Sequence, residues 1–152
     1  MTTIAGDIHI HRLGPPEREL ARSMFTLMSQ VFGETHMALS DAYLDALLAR
    51  SEFLAIAATD SDHVVGGLTA HLLPMTAFEG AEVFLYDIAV AADHQRRGIG
   101  RRLVDALRRE ASNQGITTMF VPADEEDTDA LQFYAALGGT PRKVTFFEFG
   151  PR

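Results

Sequence analysis

One stretch constrains the fold more than any other. The apolar run Glu82 to Val90 leads into AADHQRRGIG, residues Ala91 to Gly100, and then into an amphipathic helix with Ile99, Leu103, Val104 and Leu107 facing inward. A strand followed by a crossover helix and a further strand, Ile116 to Val121, implies a parallel pair within a mixed sheet. The loop between strand and helix is suited to an anion. Gly98 and Gly100 have no side chains to keep a ligand away, and the backbone N–H groups from about Arg96 to Arg101 point outward at a helix N-terminus, where the macrodipole favours negative charge. Arg96, Arg97, Arg101 and Arg102 add fixed positive charge to the same turn. A pyrophosphate is the expected occupant.

The rest of the chain supplies the elements around this unit. Ile8 to Leu13 alternates as a short strand, and Gly14-Pro15-Pro16 opens a helix whose face is Leu20, Met24, Leu27, Met28 and Val31, closed by Gly33. Ser40 or Asp41 caps a second helix carrying Leu44, Leu47 and Leu48. Phe53 to Ala58 and His63 to Leu73 are strands joined at Asp60-Ser61-Asp62, and Gly66-Gly67 predicts a bulge or a close backbone approach. Gly115 ends the crossover helix. The acidic run Asp124 to Asp129 leads into a last helix stopped by Gly138-Gly139, and Val144 to Phe149 reads as a final strand. Its Phe146, Phe147 and Phe149 have apolar surface for the core and for a partner subunit, so a homodimer is expected. The fold class is α/β of the α+β kind: a single domain over residues 1–152, with a mixed central β-sheet flanked by helices.

Composition narrows the function classes. A chain of 152 residues holds one substantial core. Thirteen basic against twenty-one acidic residues leave a net charge of −8, which argues against nucleic acid and for a cationic substrate. Without cysteine, neither disulfides nor thiol chemistry enters. No apolar run approaches the roughly 18 residues of a membrane span, and MTTIAGDIHIH has no leader pattern, so a cytosolic location away from the membrane is expected. His9 and His11 alternate on a short strand without a third ligand, so no metal is expected. His36 and His71 read as loop or core residues.

The spacing of the glycines discriminates between nucleotide loops. A P-loop would need a lysine after its last glycine, and the dinucleotide fingerprint would need a third glycine where Leu103 stands. Gln95-Arg-Arg-Gly-Ile-Gly100 instead matches the pattern of Arg or Gln, two residues, Gly, one residue, and Gly or Ala. By this motif the chain resembles the GNAT N-acetyltransferase superfamily. A second segment, Asp127-Thr-Asp-Ala130-Leu-Gln-Phe133-Tyr134-Ala-Ala-Leu-Gly138, resembles the family's late helix, with Asp127 where asparagine is common and Gly139 where phenylalanine is common. The resemblance implies the GNAT fold and acetyl-CoA as cosubstrate. It implies coenzyme contacts from Ile88, Ala89, Val90, Gln95, Arg96, Arg97, Gly98, Ile99, Gly100, Arg101, Phe133 and Tyr134. The Ile88 N–H is implied as oxyanion donor and Tyr134 as acid for the leaving thiolate.

Acetyl transfer from a thioester needs an unprotonated amine. For an amine with a pKa of about 10.4, removing the proton at pH 7 costs roughly 4–5 kcal/mol. Asp87 is the candidate base: it interrupts an apolar strand, and a buried carboxylate needs a partner or a raised pKa. Phe32-Gly33-Glu34, Tyr86 to Val90, Ala123-Asp124 and Leu137-Gly138 are similar to type I aminoglycoside 3-N-acetyltransferases, which acetylate the 3-amino group of the 2-deoxystreptamine ring in gentamicin-like antibiotics. Glu34, Glu79, Glu82, Asp87, Asp124, Glu125 and Glu126 are the acidic residues available to such a cation. Two alternatives are a GNAT enzyme for another amine, such as a polyamine, amino sugar or peptide, and a non-catalytic acyl-CoA sensor.

Overall fold

Strand β1 (Ile8–Arg12) pairs antiparallel with β2 (Phe53–Asp60), β2 with β3 (His63–Pro74), and β3 with β4 (Ala81–Val90); β5 (Met119–Phe120) joins β4 in parallel. The computed structural model describes residues 6–152; residues 1–5, part of the stretch read above for a leader, lie outside them. The described chain forms two compact units, one running to Val121 and the other from Pro122 to Arg152. The sheet belongs to the first, with its strands in sequence order. The β2–β3 turn consists of Ser61 and Asp62 at φ 49° and 68°, the pair of left-handed conformations that matches the twist of a tight hairpin.

Helix α1 (Arg18–Phe32) follows a 3-10 turn at Pro15–Glu17, and α2 (Asp41–Leu48) starts where the Tyr43 N–H donates to Ser40 Oγ at 3.1 Å. Every residue of β2 from Phe53 to Thr59 is buried, so this strand is covered on both faces. Phe53, Ala55 and Ala57 pack with Ala21, Met24 and Met28 of α1 and Leu48 of α2. Alternation turns Leu54 and Ile56 to the other side. There α3 (Ile99–Asn113) lies across β1 to β4 and buries Ile99, Leu103, Val104 and Leu107, the face expected from the sequence.

Gly66-Gly67 shows both features expected of it. A Cβ on Gly67 would collide with Met24 Sδ, and one on Gly66 would meet the Ala89 carbonyl oxygen at 3.0 Å. The register also shifts beside them: Ala58 faces Gly66 and Thr59 faces Val64, leaving Val65 as the extra residue of a bulge.

Two expectations about strands are corrected. Only Met119 and Phe120 form β5, rather than Ile116 to Val121, because its ladder pairs only Val83 with Met119 and Phe84 with Phe120. The strand expected over Val144 to Phe149 is absent among the described residues, and Val144, Phe146, Phe147 and Phe149 are exposed. The second unit contains one regular element, α4 (Thr128–Ala136), and no strand whose N–H and C=O groups could form a ladder with this run.

Candidate active site

The site is built on a defect in β4. Thr69 of β3 faces Asp87, whereas Ala70 faces Leu85, so Tyr86 is an extra residue and β4 bulges there. The parallel ladder to β5 has already stopped at Phe84. Beyond the bulge, no described strand pairs with residues 86–90 on that side. The N–H and C=O groups that alternate away from β3 form an edge that an extended amide-containing ligand can complete as an added strand. Ile88, Ala89 and Val90 are the last residues of that edge. Ala89 is buried and its carbonyl faces Gly66 of β3, so the backbone groups at this edge are those of Ile88 and Val90.

The edge runs directly into the anion loop. A 3-10 turn, Ala92–His94, follows β4, and Arg96 and Gly98 then adopt left-handed conformations at φ 63° and 77°. Glycine reaches that region without penalty, whereas Arg96 holds it at a cost of about 1–2 kcal/mol. Gly98 is the N-cap of α3 and offers no side chain to its first turn, and that turn contains no acidic residue. The first intrahelical bond recorded from the cap is Arg102 N–H to Gly98 C=O at 3.1 Å, so the preceding amides have no acceptor in the helix. The donor set therefore suits a phosphate. Not every side chain of the motif faces outward. Gln95 Nε2 donates to the Val90 carbonyl at 3.0 Å, Ile99 is buried, and Arg102 donates to the Ile8 carbonyl at 2.9 Å. Arg96, Arg97 and Arg101 lie at the surface.

Asp87 is half-buried, and burial first, then the charge of Glu34, raises its pKa above the usual carboxylate value. Glu34 reaches this position from a Schellman motif at the end of α1, where the Gly33 N–H donates to Gln30 C=O at 3.1 Å and the Glu34 N–H to Ser29 C=O at 2.9 Å. Two carboxylates thus share one neighbourhood, a setting that favours a cation or a shared proton. Glu82 lies on the same strand before the bulge, and Glu79 is exposed in the β3–β4 loop. Sequence reasoning missed an aromatic row beside them. Phe53, His71, Phe84 and Phe120 face one another successively across β2, β3, β4 and β5, and Tyr86 contacts both His71 and Phe84 with centroid distances of 5.5 Å. His71 is therefore part of this row. His36 is held by Thr26 and Ser29 of α1, with both ring nitrogens 3.2 Å from a hydroxyl.

The remaining candidates lie in the second unit. Asp127 is the N-cap of α4, its Oδ1 accepting the Ala130 N–H at 3.0 Å, which accounts for an aspartate at this point of the motif. Phe133 and Tyr134 are half-buried, edge to face at 5.2 Å. Asp124 and Glu125 are exposed in the turn that precedes the helix, closed by Asp127 N–H to Asp124 C=O at 3.0 Å.

The model of the acetyltransferase (GNAT) family matches residues 19–138, so the match runs across both units. An aminoglycoside acetyltransferase from an uncultured soil metagenomic sample is 32% identical, with a TM-score of 0.91 over 96% of this chain and 99% of its own. Another from such a sample, solved with sisomicin, is 27% identical with a TM-score of 0.91 over 95% of this chain and 97% of its own. The ribosomal protein bS18 alanine N-acetyltransferase of Salmonella typhimurium is 37% identical over 57 residues. That match spans 38% of this chain and 38% of the curated relative's length.

Proposed function

The chain belongs to the acetyltransferase (GNAT) family, and we propose that it transfers the acetyl group of acetyl-CoA to an aminoglycoside, at the 3-amino group of the 2-deoxystreptamine ring of gentamicin-like antibiotics. The half-buried Asp87 with Glu34 beside it carries this reading, because such a pair suits a polycationic amine. The likeness to two aminoglycoside acetyltransferases over nearly the whole chain supports it.

Acetyltransferases of this family use acetyl-CoA. Here the amides at the start of α3 and the Arg96 and Arg97 side chains hold its pyrophosphate. The open edge at Ile88 and Val90 would hydrogen-bond its amide-bearing arm, with the Ile88 N–H as donor to the thioester oxygen. Asp87 accepts the ammonium proton, a step otherwise costing roughly 4–5 kcal/mol at pH 7 for an amine of pKa about 10.4. The freed nitrogen attacks the acetyl carbon and the carbon–sulfur bond breaks; the leaving thiolate takes a proton from Tyr134, the role the family resemblance implies, and the proton that the nitrogen sheds on becoming an amide restores the phenol. The protein acts as a homodimer through the exposed aromatic segment 144–149, in the cytosol, which its cysteine-free sequence permits.

A thiol-release assay with acetyl-CoA tests the reading over gentamicin, sisomicin, a polyamine, an amino sugar and a peptide with an N-terminal alanine, with NMR of the product to locate the acetyl group. Turnover confined to aminoglycosides with an acetylated 3-nitrogen is the expected result. Preference for another amine would replace the substrate, and coenzyme binding without turnover on any amine would indicate a sensor.

A further inference from the structure

A side-chain bridge ties the coenzyme loop to the end of β2. His94, in the 3-10 turn of the loop, places Nε2 3.1 Å from Asp60 Oδ2 and Nδ1 2.9 Å from Asp93 Oδ1. Its side chain is 17% exposed and that of Asp60 21%, so this bridge is largely shielded from water. Asp60 is the last residue of β2, anchored in register opposite His63 at the hairpin. His63 itself bonds through Nδ1 to the Ser61 carbonyl at 2.9 Å. The charged groups acting on His94 are thus Asp60 from β2, and Asp93 and Arg97 from the loop.

A neutral imidazole has one N–H and can donate to one of these carboxylates; its other nitrogen would then turn a lone pair toward the second. An imidazolium donates to both. We propose that His94, held as an imidazolium between Asp60 and Asp93, is a positioning residue that fixes the coenzyme loop against the β2–β3 hairpin, so that affinity for acetyl-CoA falls as the imidazolium is lost. The inference rests on the reading of residues 91–101 as the coenzyme loop. Hydrogen bonds from Asp93 and then Asp60 raise the His94 pKa above 6.5, while burial and, less strongly, Arg97 oppose them. The clamp is therefore complete below pH 6.5 and lost as pH rises through the raised value.

Calorimetric titration with acetyl-CoA at pH 6 and pH 8.5 tests the clamp, beside NMR titration of the His94 ring with and without acetyl-CoA. Wild-type Kd is expected to rise roughly five- to tenfold between the two pH values, and by reciprocity acetyl-CoA moves the His94 midpoint upward. His94→Phe binds weakly at both values. His94→Arg keeps two donors and a fixed charge, and binds tightly at both. Asp93→Asn alters an exposed carboxylate and shifts the pH dependence to lower pH. The coenzyme's own phosphate titration is common to all variants, so their differences isolate His94. Identical pH dependence in wild type and His94→Phe, or a His94 midpoint unmoved by acetyl-CoA, overturns the clamp alone. A wild-type protein that binds no acetyl-CoA at either pH overturns the coenzyme loop with it.

Discussion

The rings of Phe84 and Phe120 stack with centroids 5.0 Å apart and planes 7° from parallel, on the last residue pair that β4 and β5 share. The stack holds a strand of two residues in place where the two strands part and the open edge of β4 begins. Phe120→Ala should lower stability by about 1–2 kcal/mol, through lost ring contact and area. Urea denaturation measures this, and an unchanged midpoint would mean that the short strand is held by other contacts.

Gly98 combines a left-handed backbone with a position at the mouth of the anion loop. Gly98→Ala imposes strain of about 1–2 kcal/mol without adding charge. Gly98→Asp adds a negative charge where phosphate is expected, and should bind acetyl-CoA roughly tenfold more weakly than Gly98→Ala, a difference of about 1.4 kcal/mol. Calorimetry on the folded variants separates strain from charge. Equal affinities would remove the phosphate from this turn.

Asp87→Asn should reduce turnover about a hundredfold to ten-thousandfold at neutral pH while leaving coenzyme affinity nearly intact. A defect confined to KM would instead make Asp87 an anchor for the cationic acceptor. The same variant tests the raised pKa through stability. A carboxyl whose pKa is raised on folding favours the fold while protonated, and that contribution is lost as pH rises through the folded value. Asn at this position escapes the loss, so the variant should melt above wild type at pH 7 and gain nothing below pH 3.8.

Val144, Phe146, Phe147 and Phe149 expose a run of apolar surface. Light scattering coupled to size exclusion should give a mass near twice 16.7 kDa. Phe146→Ser with Phe149→Ser should return the monomer. A wild-type monomer at micromolar concentration would rule out this interface.

What could be read from the sequence follows from the range of the forces involved. The glycine-rich loop and the Asp87 position stand out because glycines and a carboxylate interrupt strongly periodic segments, a local pattern. The Tyr86 bulge does not, since it exists only in the register between β3 and β4. His94 gave no signal either, because its partner Asp60 lies 34 residues away and the bridge depends on the hairpin bringing them together. The segment 144–149 misled for the complementary reason: aromatic composition sets a preference for strand, but a ladder needs a neighbouring edge.

Tyr86 gives the protein a spectroscopic handle at its own site. It is 57% exposed, next to Asp87 and against the His71 ring, in a chain with three tyrosines and no tryptophan. Tyrosine emission is therefore not masked by indole absorption. An amine bound beside Asp87, as proposed, would change the surroundings of Tyr86, and its binding would be visible in the tyrosine emission of the unlabelled protein.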